Sequence, residues 1–373
     1  PTLEFGDKQL SITWKTPHSD GSPVLSYNLE ISPAPETGAM QRTGVTGNRL
    51  VWSGLHNGTA YQVRVQAVNR APEPSEWSQW SRDEVPAGKP DAPGQPTTSP
   101  ATPVGNQAQI AVTWPAVTGE AANGDAVNPY TLRISHGGST KEVTTTGTKQ
   151  NIVVDPSTSD YTFSVKATNK AGDSPWSSAS DPRRAAVAPD APKSVRAEPG
   201  DHRVTLTFSA GEANGSKAGE LTYHYKVNQT GADGTLKSGD AITGLTNGRA
   251  YTFDVWATSS VDGVKPGAHE TSNSATPFGK PIISNLRAER GDHQVTFRWT
   301  VDDNGRDITS RDAPVGGTGD LTWTKTGLSD GESYTLSLRY TNDGGSDSAS
   351  ITAQANDPPP LSARVSKSGT SAQ

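Results

Sequence analysis

One block recurs four times along the chain and constrains its fold more than any other feature. It reads GLHNGTAYQVRVQAVN at residues 54–69, VDPSTSDYTFSVKATN at 154–169, GLTNGRAYTFDVWATS at 244–259 and GLSDGESYTLSLRYTN at 327–342. In the first copy Tyr61, Val63, Val65 and Ala67 share one face of a period-2 pattern, and Gln62, Arg64 and Gln66 share the other. That alternation specifies a half-buried antiparallel strand. The anchor tyrosines Tyr61, Tyr161, Tyr251 and Tyr334 stand 100, 90 and 83 residues apart. A second landmark keeps the same order: the runs LSITW, IAVTW, VTLTF and VTFRW place Trp14, Trp114, Phe208 and Trp299 at steps of 100, 94 and 91. Two landmarks in one order, four times over, imply four repeated structural units.

The intervals fill with further short strands. Tyr-led alternating runs follow the first landmark in three units: SYNLEIS around Tyr27, PYTLRIS around Tyr130 and YHYKVN around Tyr225. Turn residues such as Asp20-Gly21-Ser22-Pro23 and Asn123-Gly124-Asp125 precede them. No helical periodicity competes. The expected class is all-β, four tandem antiparallel β-sandwich domains in an elongated array. Lys89-Pro-Asp-Ala-Pro93, Pro189-Asp-Ala-Pro192 and Phe278-Gly-Lys-Pro281 read as short, Pro-stiffened joints. They set domains at 1–88, 89–188, 189–277 and 278–357. The fourth is contracted and lacks the Tyr-led run, so its middle strands are expected to be short or irregular. Residues 358–373, PPPLSARVSKSGTSAQ, carry no strand pattern and read as a flexible tail.

Composition narrows the functional classes. The chain has 373 residues and no cysteine, so each domain must bury its own core without disulfides or thiolate metal sites. Thirty-three basic against 39 acidic residues give a net charge of −6 without long runs of one sign, which argues against nucleic acid or an anionic membrane as partner. No apolar run is long enough to span a bilayer. The chain begins at Pro1 inside an expected strand, which reads as a piece of a longer protein whose secretion signal and anchor lie elsewhere.

The Trp on the second strand, the Tyr-led third strand, the G-L-x-[ND]-G-x-x-Y corner and the A-x-N strand end together resemble fibronectin type III domains over nearly the whole chain. The resemblance implies that each corner tyrosine buries its ring and bonds a backbone group upstream through its hydroxyl. Departures are visible. The second unit replaces the corner Gly-Leu with Val154-Asp155-Pro156, and the third has Phe208 in place of Trp. Absence of cysteine and the Asp-Ala-Pro joints are similar to tandem fibronectin type III proteins on the surface of Gram-positive actinobacteria, bifidobacteria included.

After the first corner strand, Pro72 and Pro74 interrupt pairing. Trp77-Ser-Gln-Trp80-Ser81 then begins what reads as a further strand, and it resembles the WSXWS box of class I cytokine receptors. In that family the indoles stack with arginines, and here Arg64, Arg70 and Arg82 lie close enough in sequence for such a ladder. The second unit aligns Ser174-Pro-Trp176-Ser-Ser-Ala-Ser180 with it. Candidate binding residues are therefore Arg64, Arg70, Trp77, Gln79, Trp80, Arg82 and Trp176, with Trp77, Trp80 and Trp176 as the exposed aromatics. Structural and ligand-binding readings of the box both stand at this point.

Arg290, Gly291 and Asp292 spell the integrin-binding tripeptide, but Pro199-Gly200-Asp201 occupies the same setting in the third unit, so a Gly-Asp turn explains both. Asp302-Asp303-Asn304-Gly305 resembles the start of a calcium loop without its remaining ligands. The seven histidines form no metal or catalytic pattern, and no nucleophile or phosphate-binding motif is present. The chain is expected to be non-enzymatic and monomeric, without cofactor or metal. It reads as a cell-surface binding region for a host or neighbouring-cell protein, a cytokine-like ligand among them, or as a spacer between other modules.

Overall fold

The computed structural model describes residues 1–19, 21–35 and 37–356; the tail expected at 358–373 lies outside them. The chain divides into two compact units, Pro1–Ala188 with Ala213–Glu220 and Ser259–Lys265, and Pro189–Glu212 with Leu221–Thr258 and the residues from Pro266 onward. Among the described residues the structure is strand, turn and loop, with two 3-10 turns at Gly119–Ala122 and Ala218–Glu220.

The first sandwich pairs strands β1 (Thr2–Gly6), β2 (Gln9–Thr13) and β5 (Arg49–Ser53) in one sheet, in the order β1-β2-β5. The facing sheet is β4-β3-β6, from β3 (Ser26–Ser32), β4 (Gln41–Val45) and β6 (Gln62–Val68). Inward residues of both meet in one cluster: Leu10, Ile12, Trp14 and Trp52 from the first sheet, Tyr27, Leu29, Ile31, Tyr61 and Val63 from the second. The period-2 pattern places them there, since successive side chains of a strand face opposite sides.

In the second sandwich β7 (Thr97–Thr98), β8 (Thr102–Val104), β9 (Gln107–Thr113) and β12 (Lys149–Val154) face a sheet built from β10 (Tyr130–His136), β11 (Ser139–Thr145), β13 (Asp160–Asn169), β14 (Gly172–Asp173) and β15 (Arg183–Arg184). The third opposes β16 (Lys193–Gly200), β17 (Arg203–Ser209) and β20 (Ala241–Thr243) to β18 (Leu221–Val227), β19 (Asp233–Thr235), β21 (Phe253–Ser259) and β22 (Glu270–Thr271). The fourth opposes β23 (Ile282–Gly291), β24 (Gln294–Asp302) and β26 (Gly319–Thr326) to β25 (Ser310–Asp312), β27 (Ser333–Asn342) and β28 (Gly345–Gln354). Of its middle strands β25 is as short as the contraction implies, whereas β26 is eight residues long and pairs continuously with β24.

Each landmark residue sits between sheets, with local differences. Trp14 meets Tyr27 edge-on at 5.2 Å, and Trp114 meets Tyr130 at 5.8 Å. In the third sandwich the ring beside Phe208 is Tyr223 at 4.9 Å, not Tyr225, the residue on which the sequence centres that run. Trp299 is fully buried and donates its indole N–H to the Tyr340 hydroxyl at 3.2 Å.

Three of the four corner tyrosines bond a backbone group upstream as expected, and the partner changes with the donor the corner offers. Tyr61 and Tyr251 accept from the N–H of His56 and Thr246 at 3.0 and 3.1 Å. At the matching position of the second sandwich stands Pro156, which has no N–H to give. Tyr161 instead donates to the Asp155 carbonyl at 3.4 Å. In the fourth, the Glu332 carboxylate takes the Ser329 N–H at 2.7 Å, and Tyr334, only half-buried, packs with Phe297 and Trp323.

Candidate functional site

The outer face of the β3–β6 sheet carries the box. Arg64 projects from β6 opposite Glu30 of β3, and the register places those two side chains together. Glu30 accepts from both Nε and Nη2 of Arg64 at 2.5 Å. Held there, the guanidinium lies 4.9 Å from the centre of Trp77 and 4.7 Å from that of Trp80. Each cation–π contact contributes about 0.5–2 kcal/mol. Arg70 and Arg82, expected in the same ladder, are exposed and stand over no ring of the described residues. They flank the stack at loop positions, where strand register does not fix them.

Residues 69–83 contain no regular strand, contrary to the expectation for the box. The segment instead runs beside β6 and contacts it at every third residue. Ser75, Ser78 and Ser81 donate their N–H groups to the carbonyls of Ala67, Val65 and Val63 at 2.8–2.9 Å. Their hydroxyls accept from the N–H groups of the same three residues at 2.8–3.0 Å. Each hydroxyl then donates to the next carbonyl along the segment, of Glu76, Gln79 and Arg82. A period of three cannot continue a pleated ladder, so the serine side chains complete the pairing that backbone alone would leave unmet.

The second sandwich repeats this device. Ser174, Ser177 and Ser180 exchange the same bonds with Ala167, Val165 and Phe163. Here the cation reaches Trp176 from the neighbouring strand: the Arg133 guanidinium is 3.7 Å from its ring centre, with Lys166 at 5.2 Å. Lys166 and Thr168 both donate to Asp173 and hold its carboxyl below the usual carboxylate range. In the third sandwich one serine remains, Ser272 against Phe253, and the stack is inverted. Trp256 lies between His224 at 5.4 Å and His269 at 4.3 Å, with near-parallel rings. Neither Arg133 nor the histidines were identified as site residues by sequence; the outward parity of Arg133, three residues after Tyr130, was the available signal.

The exposures of the candidates differ. Trp77 and Trp176 are half-buried beneath their cations, and Trp80 is 37% exposed. Gln79 is exposed. Arg290 pairs with Val295 in the β23–β24 ladder, and Gly291 pairs with Gln294, so Asp292 and His293 form the two-residue turn of a hairpin. Lys8, His202 and His293 adopt left-handed conformations at corresponding turns, with φ of 54°, 52° and 51°. The Asp302 and Asp303 carboxylates accept the N–H groups of Asn304 and Gly305, capping their own turn. Among the described residues no group of His, Cys, Asp and Glu has a metal-binding arrangement, and no helix is long and apolar enough to cross a membrane.

If Ser177 becomes alanine, the Val165 N–H loses its acceptor in a buried setting, and a loss of about 1–3 kcal/mol is expected. Ser178→Ala, at an exposed neighbour, should change stability by about 0.5 kcal/mol or less. Calorimetric unfolding of both variants makes the comparison.

The joint between the first two sandwiches lies inside the first unit and is tightly bonded. Asn57 donates to Asp7 and to the Asn123 side chain, both at 2.7 Å, and accepts the Lys8 N–H at 2.8 Å. Asn123, at φ 53°, donates onward to the Lys89 carbonyl at 2.9 Å. Buried Asn169 donates to the carbonyls of Gly88 and Ala122 at 2.8 and 3.0 Å. Gly58 and Gly124 approach so closely that a Cβ on Gly124 would lie 2.6 Å from the Gly58 nitrogen. Inside the second unit the same arrangement recurs: Asn247 donates to Asp201 and Asn304, and Asn342 to the carbonyls of Gly279 and Asp303. A polar cleft of about 390 Å³ opens beside the first joint, lined by Lys8, His56, Asn57, Thr59 and Glu120.

Comparison with known proteins agrees with this geometry for the first sandwich. One solved structure, the FN1-FN3 domains of chicken CNTN1, is similar at 16% identity over 74% of this chain and 96% of that one; with a TM-score of 0.28 it carries no inference about arrangement or function. Residues 2–83 match the family model of the fibronectin type III domain, and the chain as a whole is an all-β series of tandem β-sandwiches.

Proposed function

We propose that this chain is a non-catalytic, extracellular binding region of a bacterial surface protein. It recognises a host or cell-surface protein through loops of its first two domains, 1–88 and 89–188. Domains 189–277 and 278–357 continue the array. The observation that carries the reading is the bonded joint at Asn57, Asn123 and Asn169. Loops held in place before a ligand arrives reduce the ordering cost of recognition. Beside that joint the polar cleft offers both signs of charge at Lys8 and Glu120, while Arg70, Gln79, Trp80 and Arg82 are exposed on the first sandwich. A cytokine-like protein is the concrete ligand the box suggests.

A second reading, a passive spacer between other modules, is favoured by one observation: the Asp–Asn–Asn bonding recurs at Asp201, Asn247 and Asn304. A joint repeated irrespective of neighbouring loops serves spacing as well as recognition.

The full chain should be screened by biolayer interferometry against cytokines, matrix proteins, integrins and polysaccharides. Under the binding reading one protein ligand is captured, and Asn57→Ala weakens it about tenfold or more by loosening the joint. Arg64→Ala and Trp80→Ala lower stability with a smaller effect on affinity, because the stacked rings offer little face to a partner. Capture only through Arg290-Gly291-Asp292, abolished by Asp292→Ala, moves the site to the fourth domain. If the chain captures none of these ligands, the spacer reading stands.

A further inference from the structure

The first and second sandwiches differ at one core position in a way that leaves a vacancy. On β5, Trp52 is opposite Leu10, four residues before Trp14. On β12, Ile152 is opposite Ile110, four residues before Trp114. The two positions therefore correspond. In the first sandwich the Trp52 indole is 1% exposed and belongs to the core cluster. Arg42, from β4, places its guanidinium 5.6 Å from the indole's centre.

The second sandwich has no indole at this position. Ile152 is smaller, and a cavity of about 430 Å³ lies between edge strands β11 and β12. Ile134, Val143, Ile152 and Tyr161 give it apolar walls, and Ser139, Thr140, Gln150 and Asn151 add polar lining. Tyr161 is stacked at 4.0 Å and 9° on His136, whose Nε2 lies 2.9 Å from the Ser157 hydroxyl, so that wall is fixed. Lys141 stands at the mouth, on the same parity of β11 as Val143. Its ammonium has no hydrogen bond or ion pair with another described residue. By contrast Glu142, on the opposite parity, is paired with Arg133 at 3.1 Å. An ammonium at the rim of an apolar, ring-sized space is complementary to an anion carried on an aromatic body.

We propose that the second domain binds a small aromatic carboxylate between β11 and β12, the ligand's ring taking the place that Trp52 fills in the first domain and its carboxylate meeting Lys141. The volume falls within the range of roughly 300–1,000 Å³ of small-molecule sites, which combine apolar walls with a few placed polar groups.

Indole-3-acetate is the probe, titrated into the full methyl-labelled chain and followed by NMR. Saturable shifts at the methyls of Ile134, Val143 and Ile152 are expected, with a Kd on the order of 1 mM or tighter for a ligand of this size. Tryptamine, with the same ring and the opposite charge, should bind at least about threefold more weakly, as should indole-3-acetate to Lys141→Met. Ile152→Trp should abolish binding by supplying the ring covalently, while circular dichroism and the melting curve report that it folds. If that variant misfolds, Ile152→Phe and Lys141→Glu take its place. The proposal fails if no saturable shift appears at about ten times the expected Kd, if a folded cavity-filling variant binds unchanged, or if tryptamine binds equally well.

Discussion

Trp52→Ala is expected to cost about 3–5 kcal/mol, the range for removing a fully buried large aromatic side chain from a packed core. Its indole nitrogen has no hydrogen-bond partner among the described residues, so the contribution comes chiefly from apolar bulk, beside the Arg42 guanidinium over the ring. That bulk touches a small cluster built from ten buried residues, with no disulfide to hold the sandwich when contacts are lost. A chain with several separate cores does not unfold in one step. The loss should therefore displace one calorimetric transition, that of the first sandwich, and leave the others in place. Trp52→Ile should cost less and reproduce in the first sandwich the opening present in the second.

Asn169→Ala is the second large effect. The side chain is 6% exposed and makes three bonds: two donated to the Gly88 and Ala122 carbonyls, and one accepted from the Ala171 N–H at 2.9 Å. Alanine leaves these groups without partners where water has little access, at a cost of about 2–4 kcal/mol. Because Gly88 and Ala122 flank the joint, the expected readout is faster proteolysis near Lys89 as well as a lower melting temperature. Asn342→Ala, which removes the corresponding bonds to Gly279 and Asp303, should do the same at its own joint.

The repeat of Tyr61, Tyr161, Tyr251 and Tyr334 was legible because a strand's period of two is written directly in the chain. So was the core role of Trp14, Trp114 and Trp299. The corner bonds were only half legible. Pro156 announces a missing N–H, but that Glu332 would take the place of the Tyr334 hydroxyl depends on loop closure. The serine ladder escaped because its period of three belongs to neither strand nor helix. Partners of the cations escaped for a different reason: Glu30 and Arg64 are 34 residues apart and meet only through register. Likewise Asn57 and Asn123 each precede a glycine and read as ordinary turns, although they bond each other across 66 residues. Arg70 and Arg82 were placed in the stack by proximity in sequence, which does not set side-chain direction in a loop.

The serine ladders have a further consequence during synthesis. Successive, similar sandwiches on one polypeptide risk exchanging strands before each has closed, because an open sheet flank accepts any extended segment. In the first two sandwiches that flank is occupied by a segment whose hydroxyls take up both the amides of the sheet and the carbonyls of the segment itself. A newly emerging neighbour finds few unpaired groups there, and a strand lacking serine at every third residue cannot reproduce the match. In those two sandwiches the serine-bearing segment is therefore expected to seal the flank against strand exchange with a neighbour.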